Sequence, residues 1–511
     1  MVKVVFLLNT YLNLKLIFYK GGEICYYANQ EFRLNKYTKT KICGIPTVEQ
    51  LRTALTEGQN SDARVQLQML FDESTFVETN AYTKRAITDF YTTEKTNELE
   101  GVITGYGAID GKLVFAFAED ATRMGGVIDE RHAKKIADLY SLAIKSSAPV
   151  IGIFNSNGTD IFEGTAGLAA YGRIMSSVIE ASGAIPQIAF VSGKCIGCAA
   201  AIAAMFDFIV KDTAAAFYVS SPSLTGIENA QDAILAYTGE TAQCAGYIRS
   251  LVSFLPDSSA TGIIVGECAD NLNRKLGDLD FAGEALSAIS TIVDNGFFYE
   301  ISHDFAPEAT TVLATVGGVK CGIVANSFAA NEGRLSVASA KKIAKFVNFC
   351  NAFSIPLVTL VDSNGLVVEK ANETEFFAPE LAKLAFAYST SKMPKVTVIL
   401  GHAIGSSFVL LGSKALGADL VYAVNKAEIG ALSAESGVAF SWNDHITLEE
   451  TRDSLIASWK ESVSSPVVAA ASGEIDDIIS INELRARICS ALLMLTSKGA
   501  VKISDRKILP L

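Results

Sequence analysis

Proline is scarce in these 511 residues, 11 in all, so long Pro-rich linkers are excluded. Histidine is scarcer still, at four (132, 303, 402 and 445), and no HExxH, paired CxxC or His-rich tract occurs. No dedicated metal site is expected from such a set. No run of 18 apolar residues exists, so no membrane span is expected. Positive charge is in deficit: 43 Lys and Arg against 55 Asp and Glu give a formal charge of −12. A nucleic-acid binder normally carries a basic face, so no nucleic-acid partner is expected. Small anions stay open, because backbone N–H groups bind them locally. The nine cysteines (25, 43, 195, 198, 244, 268, 321, 350 and 489) are odd in number and scattered. That argues against a disulfide framework and for a reducing, cytoplasmic location.

Apolar residues make up half of the chain and charged ones only 19%, enough for large buried cores. Length alone suggests about three domains. The start is harder to read. Val4 to Phe18 is largely apolar, but Asn9, Thr10, Asn13 and Lys15 interrupt it. This fits an extra strand or an extended N-terminus better than a signal peptide.

The chain reads as a duplication. Ala133-Lys134-Lys135-Ile136-Ala137 recurs 207 residues on as Ala340-Lys341-Lys342-Ile343-Ala344. At the same offset Pro149 meets Pro356, and Ser156-Asn157-Gly158 meets Ser363-Asn364-Gly365. One residue out of phase, Pro186 meets Pro394, Gly193 meets Gly401, and Ile196-Gly197 meets Ile404-Gly405. Upstream, Leu70-Phe71-Asp72 echoes Ile292-Val293-Asp294. The expected organisation is an N-terminal extension over 1–59 and two copies of one fold, over 60–275 and 280–511.

Each copy reads as βαβ. In the first, strand-like Gly101–Thr104 and Leu113–Ala118 flank Asp110-Gly111, a hairpin signal. An amphipathic helix follows over Glu130–Ser146, and Pro149 stops it. Val150–Phe154 and Ile188–Val191 are short apolar runs of the kind buried in a parallel sheet. Leu168–Ala181 reads as a helix between them, and Ala199–Met205 as another before strand Phe208–Val210. Copy two repeats this with strands Val358–Val361, Val396–Leu400 and Leu420–Ala423. Short turns between strand and helix imply right-handed crossovers and an α/β class.

The candidate chemistry sits where strands end. Gly197-Cys198 follows a strand and opens a helix, and Gly405-Ser406 does so in copy two. Two converging N–H groups at such a turn can hold an oxyanion. The plain alternative is a glycine that only permits a tight turn; recurrence in both copies is what raises the chemical reading. Gly193-Lys194-Cys195-Ile196-Gly197 also fits a nucleophile elbow with Cys at its centre. The duplicate, Gly401-His402-Ala403-Ile404-Gly405, has alanine there, so the turn is wanted for its backbone. Cys195 and Cys198 form a lone CxxC, read as a pair of small buried cysteines. Glu163 could act as a general base, but a lone acid after a turn more often marks a helix N-terminus. Asp476-Asp477 before Ile478-Ile479 reads as a strand entry. Gly105-Tyr106-Gly107 lacks the spacing of a dinucleotide fingerprint.

Several segments carry a resemblance. They are Val102-Ile103-Thr104-Gly105-Tyr106-Gly107, Gly125-Gly126, Ala148-Pro149-Val150-Ile151-Gly152-Ile153 and Ser182-Gly183-Ala184-Ile185-Pro186-Gln187. Val210-Lys211-Asp212-Thr213, Met393-Pro394-Lys395-Val396-Thr397-Val398-Ile399 and Arg485-Ala486-Arg487-Ile488-Cys489 extend it. Over about 60–507 the chain resembles the carboxyltransferase subunit of biotin-dependent acyl-CoA carboxylases and decarboxylases. Propionyl-CoA carboxylase β and methylmalonyl-CoA decarboxylase α are the nearest types. The resemblance implies two tandem crotonase-like domains of the ClpP/crotonase superfamily, each a ββα superhelix. It implies biotin on a separate carrier protein, an acyl-CoA substrate, other carboxylase or decarboxylase subunits, and a homo-oligomer of at least a dimer, usually a hexamer. Carboxybiotin loses CO2 and a thioester enolate captures it. Gly197 and Cys198 would hold the thioester oxygen, and Gly405 and Ser406 the biotin ureido oxygen. Gly125, Gly126, Gly158, Gly365 and Val409 would line the clefts.

This sequence departs from the family pattern at those sites. Cys198 and Ser406 stand where the family usually has a second glycine, and a Cβ there is expected to narrow a cleft. Asp160 replaces an arginine, an adverse sign near an anionic ligand. Asn364 replaces a proline, and Val409 an aspartate tied to acyl preference. Two other readings follow: a catalytically impaired paralogue that partners an active subunit, or another crotonase-type acyl-CoA reaction.

Overall fold

The computed structural model describes residues 60–85, 99–227, 235–268, 270–277, 283–446 and 451–498, with the short pieces 4–5, 17–20, 23–26 and residue 49. The chain separates into two compact units, Met1–Asn60 and Ser61–Leu511. In the first, β1 (Val4–Val5), β2 (Ile17–Lys20) and β3 (Glu23–Tyr26) pair antiparallel in that order. The middle of the apolar Val4–Phe18 segment lies outside the described residues.

The second unit is built on two sheets of one plan. The first sheet holds β4 (Val77–Thr79), β5 (Val102–Ile109), β6 (Lys112–Glu119), β7 (Val150–Phe154) and β8 (Gln187–Val191). A separate parallel pair, β9 (Lys194–Ile196) with β11 (Ala216–Tyr218), flanks β10 (Phe208–Asp212) in the chain. With β12 (Tyr237–Gly239) the first sheet runs β12-β10-β8-β7-β6-β5-β4. Its β4 to β6 are antiparallel, and every pairing from β6 to β12 is parallel.

The second sheet holds β13 (Phe298–Ile301), β14 (Ala309–Val316), β15 (Val319–Asn326), β16 (Leu357–Ser363) and β17 (Lys395–Ile404). It is completed by β18 (Leu420–Val424), β19 (Glu428–Gly430) and β20 (Asp477–Ile479), with β19 alongside β17. β14, β15 and β16 each start 207 residues after β5, β6 and β7. Helix Val337–Ala352 starts 207 residues after helix Glu130–Ser146.

Local chemistry explains the elements. Asp110 (φ 49) and Gly111 (φ 78) both take positive φ, the two-residue turn that Asp-Gly favours. The Asp129 side chain caps helix Glu130–Ser146 by accepting the His132 N–H. That helix buries Ala133, Ile136, Leu139, Tyr140 and Ala143 and ends at Ser147 in the left-handed region, two residues before Pro149. All five residues of β7 and of β8 are buried, as crossover helices on both faces require. The helix predicted from Leu168 begins at Thr165, because Gly164 (φ 58, ψ −125) ends the preceding turn there. Pro466 opens helix Pro466–Ala471 at its first position, where its missing N–H costs nothing.

One polar clamp is duplicated. The Asp72 carboxylate accepts the N–H groups of Asp110 and Gly111 at 3.1 and 3.0 Å, and that of Asp294 accepts Gly317 and Gly318 at 2.9 Å each. Arg249 binds Asp72 and the Leu70 carbonyl; Arg485 binds Asp294 and the Ile292 carbonyl. The Leu70–Asp72 echo is therefore a hairpin anchor in each half. Between the two sheets, Phe208 meets Phe349 edge-on with centroids 4.7 Å apart.

Candidate active site

Gly197 (φ 60, ψ −124) and Gly405 (φ 58, ψ −132) adopt one conformation, which L residues rarely reach. Each stands between a strand end and a helix, Cys198–Ala204 and Ser406–Leu410. Each glycine N–H is already committed: Gly197 donates to Tyr218 O at 3.0 Å and Gly405 to Gly430 O at 2.8 Å. The expectation that both N–H groups of each pair serve a ligand is thereby narrowed. The donor each turn can offer is the next one, on Cys198 or Ser406, which opens the helix and has no preceding intrahelical carbonyl. Both residues are exposed. The CxxC expectation needs correction, since Cys195 is buried and Cys198 is exposed. Burial pushes the Cys195 thiol well above its ordinary range, aided by Glu119, which disfavours a thiolate nucleophile.

A second turn packs against each of these. Gly158 (φ 109) donates its N–H to Ser156 Oγ at 3.0 Å, and Gly365 (φ 97) occupies the same place in copy two. Asn157 donates its backbone N–H to Gly125 O (2.9 Å), and Asn364 to Glu332 O (3.0 Å). A Cβ at Gly125 (φ 72) would collide with the Asn157 amide, and one at Gly126 would come within 2.6 Å of Asn155 O. Gly126 spends its own N–H on Arg123 O (2.9 Å). These two glycines permit close packing of loops. Where copy one has Gly125, copy two carries Glu332 at φ 53, its carboxylate on the Asn364 amide (2.5 Å) and Arg334 (2.6 Å).

A cleft of about 530 Å³ opens at the second turn, lined by Gly405, Ser406, Phe408, Val409, Ile429 and Val468 among others. All of its lining residues fall between 405 and 474, so Gly197, Cys198 and Gly158 do not share it. Val409 is 46% exposed on its wall.

Of the two acids singled out by the sequence, Asp160 departs from expectation and Glu163 does not. Asp160 is buried and pairs with Arg85 at 2.6 Å, so its charge is compensated in the interior. It is not an exposed negative charge facing a ligand. Glu163 accepts the Glu130 N–H at 3.0 Å and caps a neighbouring helix, the structural role expected of it.

Sequence reasoning missed a buried ionisable cluster beneath the first turn. Glu119 accepts the Asn155 N–H at 2.7 Å, at the start of the Ser156-Asn157-Gly158 turn. Burial pushes its carboxyl up to about 8. His132 is fully buried, with Glu100 Oε1 at 3.9 Å and Glu119 Oε1 at 4.0 Å from its ring nitrogens. Burial first, then Lys135 and Arg85, push it down to about 3, so it is neutral. The 207-residue offset holds the only signal: Glu119, Asp129 and His132 align with neutral Asn326, Ser336 and Ser339. Sequence reasoning also missed His402. Asp362 Oδ1 accepts both its backbone N–H (2.8 Å) and its ring Nδ1 (2.9 Å).

Among the described residues, no group of three or more His, Cys, Asp or Glu is placed to hold a metal ion. Nor is any described helix long and apolar enough to cross a membrane.

The fold is the crotonase-like α/β class, present twice in tandem. The chain belongs to the carboxyl transferase domain family, whose model matches residues 56–508. It is 35% identical over 463 residues to methylmalonyl-CoA decarboxylase subunit alpha of Veillonella parvula, covering 85% of this chain and 90% of that one. It is 34% identical over 465 residues to the mitochondrial propionyl-CoA carboxylase beta chain of Homo sapiens, covering 85% of each. Among solved structures it superposes on transcarboxylase 12S, described as a hexamer with methylmalonyl-coenzyme A and methylmalonic acid bound. That match has a TM-score of 0.82 and 29% identity, and covers 90% of this chain and 97% of the other.

Proposed function

We propose that this carboxyltransferase moves a carboxyl group between biotin, held on a separate carrier protein, and an acyl-CoA. The observation that carries the reading is the repeated turn: in each half a positive-φ glycine presents the first N–H of a helix, on Cys198 or Ser406. A single well-aimed donor of this kind is worth about 10²–10³ in rate when charge develops on oxygen. In this reading the Cys198 N–H holds the thioester oxygen and the Ser406 N–H the biotin ureido oxygen. Gly158 and Gly365, at positive φ in the neighbouring turns, line the clefts in this reading, and Val409 shapes the second one. Its apolar wall of Phe408, Val409, Ile429 and Val468, with a polar donor at one end, fits a fused-ring headgroup. Biotin, when bound, supplies a nitrogen that carries and releases the carboxyl group.

Three features support activity over a decayed scaffold. Ser406 lies on an open cleft, the Cys198 side chain is exposed, and Asp160 is paired in the interior. The separate cleft supports a site completed by a second copy, and we infer a homo-oligomer, a hexamer as in the 12S structure. The two halves, 60–275 and 280–511, would then act as the acyl-CoA and biotin domains beside the 1–59 extension. The thiols of Cys195, Cys198, Cys244, Cys268, Cys321, Cys350 and Cys489 are unpaired, which supports a cytoplasmic enzyme. The test mixes purified protein with candidate acyl-CoAs and free biotin, and follows carboxyl exchange. Exchange with at least one acyl-CoA is expected; none, despite measurable CoA binding, refutes the proposal.

A further inference from the structure

The duplication places a basic residue at one position in both halves. Lys194 opens β9 and pairs with Ala216 of β11; His402 lies in β17 and pairs with Glu428 of β19. Each stands three residues before its turn glycine, Gly197 or Gly405. Each also reaches the adjacent turn. Lys194 Nζ donates to Asn157 Oδ1 at 3.0 Å. His402 binds Asp362, which immediately precedes Ser363-Asn364-Gly365, through both backbone and ring. Ser407 Oγ, one residue into the second helix, donates to Ser363 O at 3.2 Å, so the two turns are in direct contact.

Resting on the assignment of biotin to the second cleft, we propose that His402 and Lys194 are matched positioning residues. Each ties the strand end carrying the oxyanion donor to the neighbouring turn, the second through an imidazole bonded to a carboxylate. Among the described residues, the charged groups acting on the ring are Asp362, Glu428, Lys460 and Glu332, and Lys460 also reaches Glu435 at 3.8 Å. Glu428 and Lys460 pair with each other at 3.3 Å, and Glu332 is held by Arg334 at 2.6 Å. That leaves Asp362 as the counter-charge. Its hydrogen bond raises the imidazole above the ordinary histidine range, with Glu428 adding and burial and Lys460 opposing. The ring also stacks on Phe328, centroids 4.4 Å apart, which fixes its plane. Deprotonation removes the ion pair and leaves at most a neutral ring N–H on the carboxylate, so the second tie loosens as pH rises.

The test follows carboxyl transfer from methylmalonyl-CoA to free biotin across pH. Wild-type kcat/KM for biotin is expected to fall as pH rises through the His402 titration. His402→Gln should raise KM for biotin about tenfold and flatten that profile, with KM for the acyl-CoA within about twofold. His402→Lys should restore KM and move the fall to higher pH. Lys194→Gln should reverse the pattern, raising the acyl-CoA KM and sparing biotin. A His402→Gln enzyme with wild-type KM and pH profile overturns the tie but leaves the carboxyltransferase reading intact. No transfer by the wild type at any pH refutes that reading. The tie is then decided by amide exchange over residues 401–407, corrected for intrinsic rates. Faster exchange in His402→Gln upholds it, and unchanged exchange overturns it.

Discussion

Replacing Gly197 or Gly405 by alanine separates backbone strain from packing. At Gly197 an added Cβ meets nothing within 4 Å, and at Gly405 the nearest atom, Ala431 O, is 3.4 Å away. Neither substitution creates a clash, so the cost is conformational. At φ near +60 with ψ near −125 it should be about 1–3 kcal/mol, well inside the ~5–15 kcal/mol that holds a typical domain together. The strain is relieved if the peptide after the glycine rotates, and that peptide carries the Cys198 or Ser406 N–H. Losing one such donor should cost about 10²–10³ in kcat. Gly111→Ala is the control. It also takes positive φ (78) with nothing within 4 Å, but on a hairpin tip. All three variants should lose comparable stability by urea unfolding, while only Gly197→Ala and Gly405→Ala lose exchange activity. Folded Gly405→Ala with wild-type kcat would refute the donor assignment, and equal activity loss in Gly111→Ala would show the losses to be non-specific.

Further expectations concern the interior. Glu119→Gln keeps an oxygen for the Asn155 N–H while removing a carboxyl that burial pushes up to about 8 from 4.5. A raised carboxyl favours its neutral form in the fold, so its contribution is present below about pH 4.5 and lost as pH rises to about 8. Glu119→Gln should therefore gain on wild type by up to a few kcal/mol across that window, measured by urea unfolding near pH 5 and pH 8.5; parallel curves would contradict the burial argument. Asp160→Ala breaks a buried pair with Arg85 and should cost about 3 kcal/mol while leaving the acyl-CoA KM unchanged, because the carboxylate faces inward. A changed KM with intact stability would return Asp160 to the cleft. The duplicated hairpin clamps should differ in cost. Arg485→Met, fully buried, is expected to lose about 3–5 kcal/mol, and Arg249→Met, at 27% exposure, about 1 kcal/mol or less.

What the sequence made legible follows from which constraints are local. Strands β5 to β7 and helix Glu130–Ser146 were readable because Asp110-Gly111, Pro149 and the apolar spacing act within a few residues. The Gly197 and Gly405 turns were readable because a backbone conformation only glycine adopts leaves glycine in both copies. The errors came from constraints that act through space. That Gly197 spends its N–H on Tyr218 depends on β9 and β11, three residues each, too short to show a period. Asp160 looked like a charge facing ligand because its partner, Arg85, lies 75 residues earlier and no pattern joins them. His402 drew no attention because the comparison of the two turns centred on its neighbour Ala403, the counterpart of Cys195, although Asp362 sits 40 residues upstream in register with Asn155. The duplication itself held the remedy. The Lys194 N–H on Asn155 Oδ1 (3.2 Å) and the His402 N–H on Asp362 Oδ1 (2.8 Å) are one backbone tie at equivalent positions, while the two side chains reach different partners, Asn157 and Asp362, so the offset that exposed the repeat also marks where the two halves have diverged in chemistry. Divergence confined to the side chains around two identical glycine backbones is what two clefts would require if both stabilise an oxygen anion while admitting different ligands.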